Sequence, residues 1–125
     1  MTIRVMILED EPTAASQIVE AVKRWDPAAR VLSVAESVRA AIDALRSLPR
    51  PDVIFADIRL ADGLSFRAFD EVSVRCPVVF ATAYDARVIE EMERHAVDYI
   101  LKPIEAPLIA RTLDRYARLR AWTAG

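Results

Sequence analysis

The sequence predicts a doubly wound α/β fold, a five-stranded parallel sheet with helices on both faces. Two observations predict it. Short apolar, β-branched runs alternate five times with segments of helical periodicity. Alternation of this kind implies parallel strands joined by right-handed crossovers. Four of the runs also stop at residues with chemistry to offer: Glu9-Asp10, Asp57, Thr82 and Lys102. In an open sheet of this type, ligands bind beyond the carboxyl ends of the strands.

The elements follow in order. Ile3 to Leu8 is mostly apolar and reads as a buried first strand. It runs into Glu9-Asp10-Glu11, and Pro12 suits the first turn of a helix. Ile18, Val19, Val22 and Trp25 recur at helical spacing before Asp26-Pro27 closes the segment. Arg30–Ala35 is a short second strand. Ser37 is placed to cap a helix whose apolar stripe is Val38, Ala41, Ile42, Leu45 and Leu48. Pro49-Arg50-Pro51 breaks it, and an apolar run to Ala56 makes the third strand.

Asp57 stands where that strand ends, and Asp62-Gly63 turns the chain. Ser65 is the expected cap of a short helix carrying Phe66, Phe69 and Val72, stopped by Cys76-Pro77. Pro77 to Ala81 is the fourth strand, ending at Thr82. Asp85 is placed to cap a fourth helix with Val88, Ile89, Met92 and Ala96 inward. Asp98–Leu101 is the fifth strand, ending at Lys102-Pro103. A last helix from about Glu105 carries Ile109, Leu113 and Tyr116 on one side.

With 125 residues, 54% hydrophobic and 29% charged, the chain reads as one globular domain able to bury a core. A net charge of −2 gives no electrostatic ground for direct nucleic-acid contact. One cysteine excludes an internal disulfide and fits a reducing compartment. No apolar run approaches the ~20 residues of a membrane span, and no signal-peptide pattern opens the chain. A cytoplasmic protein without membrane contact is the expectation. No G-x-x-x-x-G-K or G-x-G-x-x-G string supports nucleotide binding.

Three carboxylates at one sheet edge repel, and each resists ionisation unless a cation is near. Hard oxygen ligands suit Mg²⁺. With the charge so offset, a carboxylate can attack phosphorus and form an aspartyl phosphate. Lys102 would balance one phosphoryl oxygen as a point charge, and Thr82 would donate to another. Each residue also has an ordinary reading. Asp57 alone is a loop acid. Glu9 and Asp10 would favour a helix N-terminus. Thr82 would bond its own backbone, and Lys102 would be a solvated turn residue. It is their coincidence at four strand ends that favours chemistry.

These residues carry a resemblance. Glu9-Asp10-Glu11-Pro12, Asp57 with Asp62-Gly63, Thr82-Ala83, and Asp98-Tyr99 with Lys102-Pro103 resemble the motifs of response-regulator receiver domains of bacterial two-component systems. The resemblance covers essentially the whole chain. The stretches around Asp57, Thr82 and Tyr99 are most similar to receivers that precede LytTR-type DNA-binding domains. The resemblance implies a flavodoxin-like sheet of order 2-1-3-4-5 with five helices. It implies that Asp57 accepts a phosphoryl group from a sensor histidine kinase or phosphotransfer protein. Asp10 and Asp57 would bind Mg²⁺ with the backbone carbonyl of Arg59, and Glu9 would act through a water. Thr82 and Lys102 would bind phosphoryl oxygens, Thr82 and Tyr99 would move together as a switch, and Lys102–Pro103 would be cis. Residues 1–125 would be the receiver, with 119–125 available as a linker to an output domain.

The chain departs from the pattern in three places. Glu9-Asp10 stands where two aspartates are common, the loop after Asp57 lacks a frequent proline, and His95 precedes Ala96 where glycine is frequent. None removes a group the chemistry needs. His95 reads as a helix-end residue and Cys76 as a buried structural thiol. Two other functions compete. A Mg²⁺-dependent phosphatase with an aspartate nucleophile needs a second acid two residues on, where Arg59 stands. A receiver-like interaction module that takes no phosphate usually lacks an acid or the lysine, and here all are kept.

Two expectations concern surfaces. Arg111, Arg115 and Arg118 form a basic stripe on the last helix, facing outward, and the fourth helix offers Glu90, Glu91 and Glu93. A phosphorylation-favoured homodimer through the fourth helix, fifth strand and last helix would join them. Arg59 and Tyr84, each two residues beyond a site residue, flank the line of water attack on a phosphorylated Asp57.

Overall fold

The computed structural model describes residues 2–83, 87, 90 and 98–124. The elements are β1 (Arg4–Leu8), α1 (Pro12–Trp25), β2 (Arg30–Ala35), α2 (Val38–Ser47), β3 (Val53–Ala56), β4 (Arg59–Leu60), β5 (Gly63–Leu64), α3 (Phe66–Glu71), β6 (Val78–Thr82), β7 (Asp98–Leu101) and α4 (Ala106–Ala124). Five strands make one parallel sheet of order β2-β1-β3-β6-β7. This is the expected 2-1-3-4-5 arrangement, because β4 and β5 form a separate two-stranded antiparallel ribbon.

The sheet is covered on both faces, which is why its central strands are continuously apolar. Val5 and Ile7 of β1, Val53 and Phe55 of β3, and Val79 and Ala81 of β6 pack with Ile18 and Val22 of α1 and Ile109 and Leu113 of α4. The alternate residues Met6, Leu8, Ile54, Ala56 and Phe80 pack with Val38 and Ala41 of α2 and Ala68 of α3. Each fully buried large side chain contributes roughly 1.5–3 kcal/mol. Trp25 Nε1 donates to Asp114 Oδ1 at 2.8 Å and ties the end of α1 to α4.

Several local expectations need correction. Ser37 caps α2 as expected, its Oγ accepting from Ala40 N at 3.0 Å. Ser65 holds the cap position of α3 but not the role. Its backbone is helical and its side chain makes no cap hydrogen bond, so only its carbonyl serves the helix, accepting from Ala68 N. Leu48 leaves the apolar stripe because α2 ends at Ser47 and Leu48 turns extended and exposed, while Ala44 is buried instead. Helix α3 ends at Glu71, well before Cys76-Pro77, with Val72 already extended.

Cys76 is only half-buried, not sunk in the core. Burial still pushes its thiol up to about 11. The β4–β5 ribbon replaces a simple turn, with Gly63 at φ +145°, a conformation side chains rarely adopt. The segment 119–124, expected as linker, continues α4.

Of the expected fourth helix, only Arg87 and Glu90 are described, and both are helical. Tyr84, Asp85, Val88, Ile89, Glu91, Met92, Glu93, His95 and Ala96 lie outside the described residues. No helix among the described residues is long and apolar enough to cross a membrane.

Candidate functional site

Register brings the site residues together. Leu8 pairs with Ala56, so the residues that follow, Glu9-Asp10 and Asp57, leave neighbouring strands side by side. The main chain is pinned there: Asp57 N donates to Leu8 O at 2.8 Å and Glu9 N to Ala35 O at 2.9 Å. On the other side Thr82 pairs with Leu101, and Lys102 N donates to Thr82 O at 2.7 Å. The Lys102–Pro103 peptide is cis.

Carboxylate oxygens of Glu9, Asp10 and Asp57 lie within 4.8 Å of one another. Lys102 closes the group from across the sheet. Its Nζ is 2.9 Å from Asp57 Oδ2, 3.0 Å from Glu9 Oε2 and 3.9 Å from Glu11 Oε2. Glu9 is the deepest of the four, with no exposed side-chain surface, while the side chains of Asp57 and Lys102 are each 17% exposed. Glu9 Oε1 accepts from Glu11 N at 3.1 Å. Glu9 Oε2 meets the ammonium charge but has no partner in hydrogen-bond geometry among the described residues.

The electrostatics follow from burial and crowding. Burial, the largest influence, pushes the Glu9 carboxyl up; the Lys102 contact opposes it, and the charge on Asp57 adds to the rise. Burial works against the Lys102 ammonium, but its contacts with Asp57 and Glu9 outweigh that and hold its pKa above the ordinary value. A half-buried cluster of three acids with one lysine is thus short of positive charge. Its hard oxygens, with Glu9 Oε2 fully buried and facing only the Lys102 ammonium among the described residues, fit a divalent cation.

Thr82 is buried, and its Oγ1 donates to Ala83 O at 3.2 Å, the ordinary backbone bond open to such a hydroxyl. It follows Phe80 by two residues and so points to the same face. Tyr99 pairs with Phe80 and packs, half-buried, against that face's core. Arg59 is exposed on β4, and Tyr84 lies outside the described residues.

Two residues escape sequence reasoning here. Glu11 joins the lysine's surroundings. Asp62, read only as a turn residue, bonds the start of α2, with Oδ1 accepting from Val38 N at 2.6 Å and Oδ2 from Arg39 N at 3.2 Å. An aspartate beside glycine signals a turn, but nothing local signals a partner 24 residues away.

The chain is similar to known proteins of one family. The family model for the response regulator receiver domain matches residues 5–114. The chain is 37% identical over 121 residues to the transcriptional regulatory protein BtsR of Salmonella typhi, covering 95% of this chain and 50% of that protein. It is 32% identical over 119 residues to the sensory transduction protein LytT of Bacillus cereus, covering 93% and 48%. The chain thus spans about half the length of these relatives. Among solved structures, the response regulator PhyR from Brucella abortus superposes with a TM-score of 0.83 at 24% identity, over 99% of this chain and 51% of that one. That likeness bears on the fold alone. With the matched family model spanning nearly the whole chain, the protein belongs to the response regulator receiver domain family.

Proposed function

We propose that this domain is a phosphoryl-accepting switch. Asp57 takes the phosphoryl group from a phosphohistidine of a sensor kinase or phosphotransfer protein. An Asp57 oxygen attacks phosphorus, the P–N bond breaks, and the imidazole leaves and takes up a proton. The observation that carries the reading is Lys102 Nζ, 2.9 Å from Asp57 Oδ2 and 3.0 Å from Glu9 Oε2, beside a carboxylate cluster.

Asp10 and Asp57, with the backbone carbonyl of Arg59 and with Glu9 through a water, would hold Mg²⁺, which when bound offsets the charge gathering on the phosphoryl oxygens. Lys102 follows the charge from the Asp57 carboxylate to a phosphoryl oxygen. Thr82 gives up its bond to Ala83 O and donates to another. Its movement leaves room that Tyr99 fills on the same face, a packing change with two stable arrangements.

The chemistry stays on the domain's own aspartate, so we read it as a switch that labels and unlabels itself, not as an enzyme with an external substrate. Two relatives are named as a transcriptional regulatory protein and a sensory transduction protein. In keeping with those names, we infer that the switch acts in the cytoplasm. We further infer that it controls transcription through a LytTR-type output part, by way of the face made by the helix holding Arg87 and Glu90, β7 and α4. The same face would carry a phosphorylation-favoured homodimer.

The test is labelling. Acetyl phosphate with Mg²⁺ adds one phosphoryl group by intact mass, and Asp57→Asn takes none. A variant that labels like the wild type overturns the assignment.

A further inference from the structure

We propose that Asp62 is a positioning residue for the phosphorylation site, tying the ribbon that follows Asp57 to the start of α2; the proposal rests on the reading of Asp57 as phosphoacceptor. The ribbon is small. Arg59 pairs with Leu64 and Leu60 with Gly63, and Ser65 N closes its base by donating to Ile58 O at 2.8 Å. Two-residue strands do not hold a shape by themselves. Ile58 and Leu60 anchor one side of the ribbon by burial in the core. Its tip is anchored elsewhere.

Ala61 N donates to Glu36 O at 3.3 Å, and the Asp62 carboxylate spans the N–H groups of Val38 and Arg39. Ser37 takes the next one, Ala40 N. The first three donors of α2 are therefore satisfied from two sources, one local and one carried in from the ribbon. Gly63 makes the geometry available. Its φ of +145° lets the chain turn back directly after Asp62, and a Cβ there would sit 3.2 Å from the Arg67 guanidinium.

The consequence reaches Asp57 through the main chain. Asp57 opens the loop and Arg59, two residues on, sits in β4. With the tip bonded to α2, the Arg59 carbonyl is held in one place relative to the acids of Glu9 and Asp10. With the tip released, the ribbon pivots on Ile58 and Leu60, and that oxygen moves off. Partners that fix an inner ligand matter in this way to metal sites generally.

The experiment compares Asp62→Ala with Ser37→Ala, which loses a bond to the same helix without touching the ribbon. Mg²⁺ affinity of the unphosphorylated protein is measured by titration calorimetry, the labelling rate with acetyl phosphate by intact mass, and amide exchange at Ser65 by NMR. Asp62→Ala is expected to weaken Mg²⁺ binding and slow labelling by about tenfold, with faster exchange at Ser65. Ser37→Ala is expected to lower Tm yet leave Mg²⁺ affinity within about twofold. Asp62→Asn, which keeps one acceptor oxygen, falls between wild type and Asp62→Ala.

Equal Mg²⁺ affinities in Asp62→Ala and Ser37→Ala overturn the proposal. Should Asp62→Ala not fold, Asp62→Asn binding Mg²⁺ as the wild type does overturns it. A wild type that binds Mg²⁺ but takes no phosphoryl group refutes the phosphoacceptor reading, while the Mg²⁺ comparison still decides the role of Asp62.

Discussion

Ser65 shows how a single hydroxyl can sit against its surroundings. The side chain is fully buried, and its Oγ has no hydrogen-bond partner among the described residues. Its backbone does the work, through Ser65 N to Ile58 O and Ala68 N to Ser65 O. An unsatisfied buried hydroxyl costs about 1–3 kcal/mol, and removing it can stabilise. Ser65→Ala is therefore expected to raise stability by about 1 kcal/mol in urea unfolding, with labelling of Asp57 intact; a destabilised variant would mean the hydroxyl has a partner. Arg59 belongs to the same scale. It is exposed beside the site, and an arginine there can cover phosphoryl oxygens and bond them. The double variant Arg59→Ser with Tyr84→Ala is expected to lose its phosphoryl group about tenfold faster, roughly 1.4 kcal/mol of barrier. The decay of phosphorylated protein measures it, and equal rates in a folded variant count against shielding.

At the scale of elements, the start of α2 has a pH signature. Hydrogen bonds from Val38 N and then Arg39 N, with help from the charge on Arg67, hold the Asp62 carboxyl below its ordinary value of 3.8. A carboxyl depressed in the folded state stabilises the fold above its unfolded value, and loses that effect as pH falls through the folded one. The Tm of wild type should exceed that of Asp62→Ala at neutral pH, and the gap should close as pH drops below 3.8. A gap constant down to pH 2 would show that the carboxylate charge has no part in the cap. Ser37→Ala, which removes a hydroxyl that does not titrate, should keep a constant gap.

The whole molecule separates two surfaces by charge. The acids gather at the carboxyl ends of the strands. The basic stripe of Arg111, Arg115 and Arg118 stands exposed on α4. Its middle member is already engaged. Arg115 pairs with Asp98 of β7, and its guanidinium lies 4.9 Å from the centre of the Tyr116 ring, while the Tyr116 hydroxyl also bonds Asp98. The proposed homodimer therefore draws on Arg111 and Arg118 more than on Arg115. Exposed ion pairs contribute only about 0–1 kcal/mol each, so any dimer must also bury apolar surface. Leu101 and Leu119, both exposed, offer some. Sedimentation with beryllofluoride and Mg²⁺ should show a dimer that is absent without them. A monomer in both states at tens of micromolar sinks the dimer and leaves the phosphoacceptor reading standing.

Much of this architecture is written in local pattern. Strands β1, β3 and β6 are buried on both faces, so from Val5, Val53 and Val78 onward they had to be apolar runs, and such runs end visibly where a charged or hydroxyl residue appears. The alternation with amphipathic helices then dictated a parallel sheet, and with it the edge where Glu9, Asp10, Asp57, Thr82 and Lys102 meet. Tertiary structure alone decided the distances between them. That Lys102 contacts both Asp57, 45 residues earlier, and Glu9 depends on strand register, which no local periodicity encodes. The pairing of β4 with β5, the reach of Asp62 to α2 and the enclosure of Ser65 are also outcomes of packing between segments distant in sequence. Periodicity reports which side of an element is covered. Which polar atom lies opposite which is settled only when the elements dock, because each such contact depends on two backbones at once.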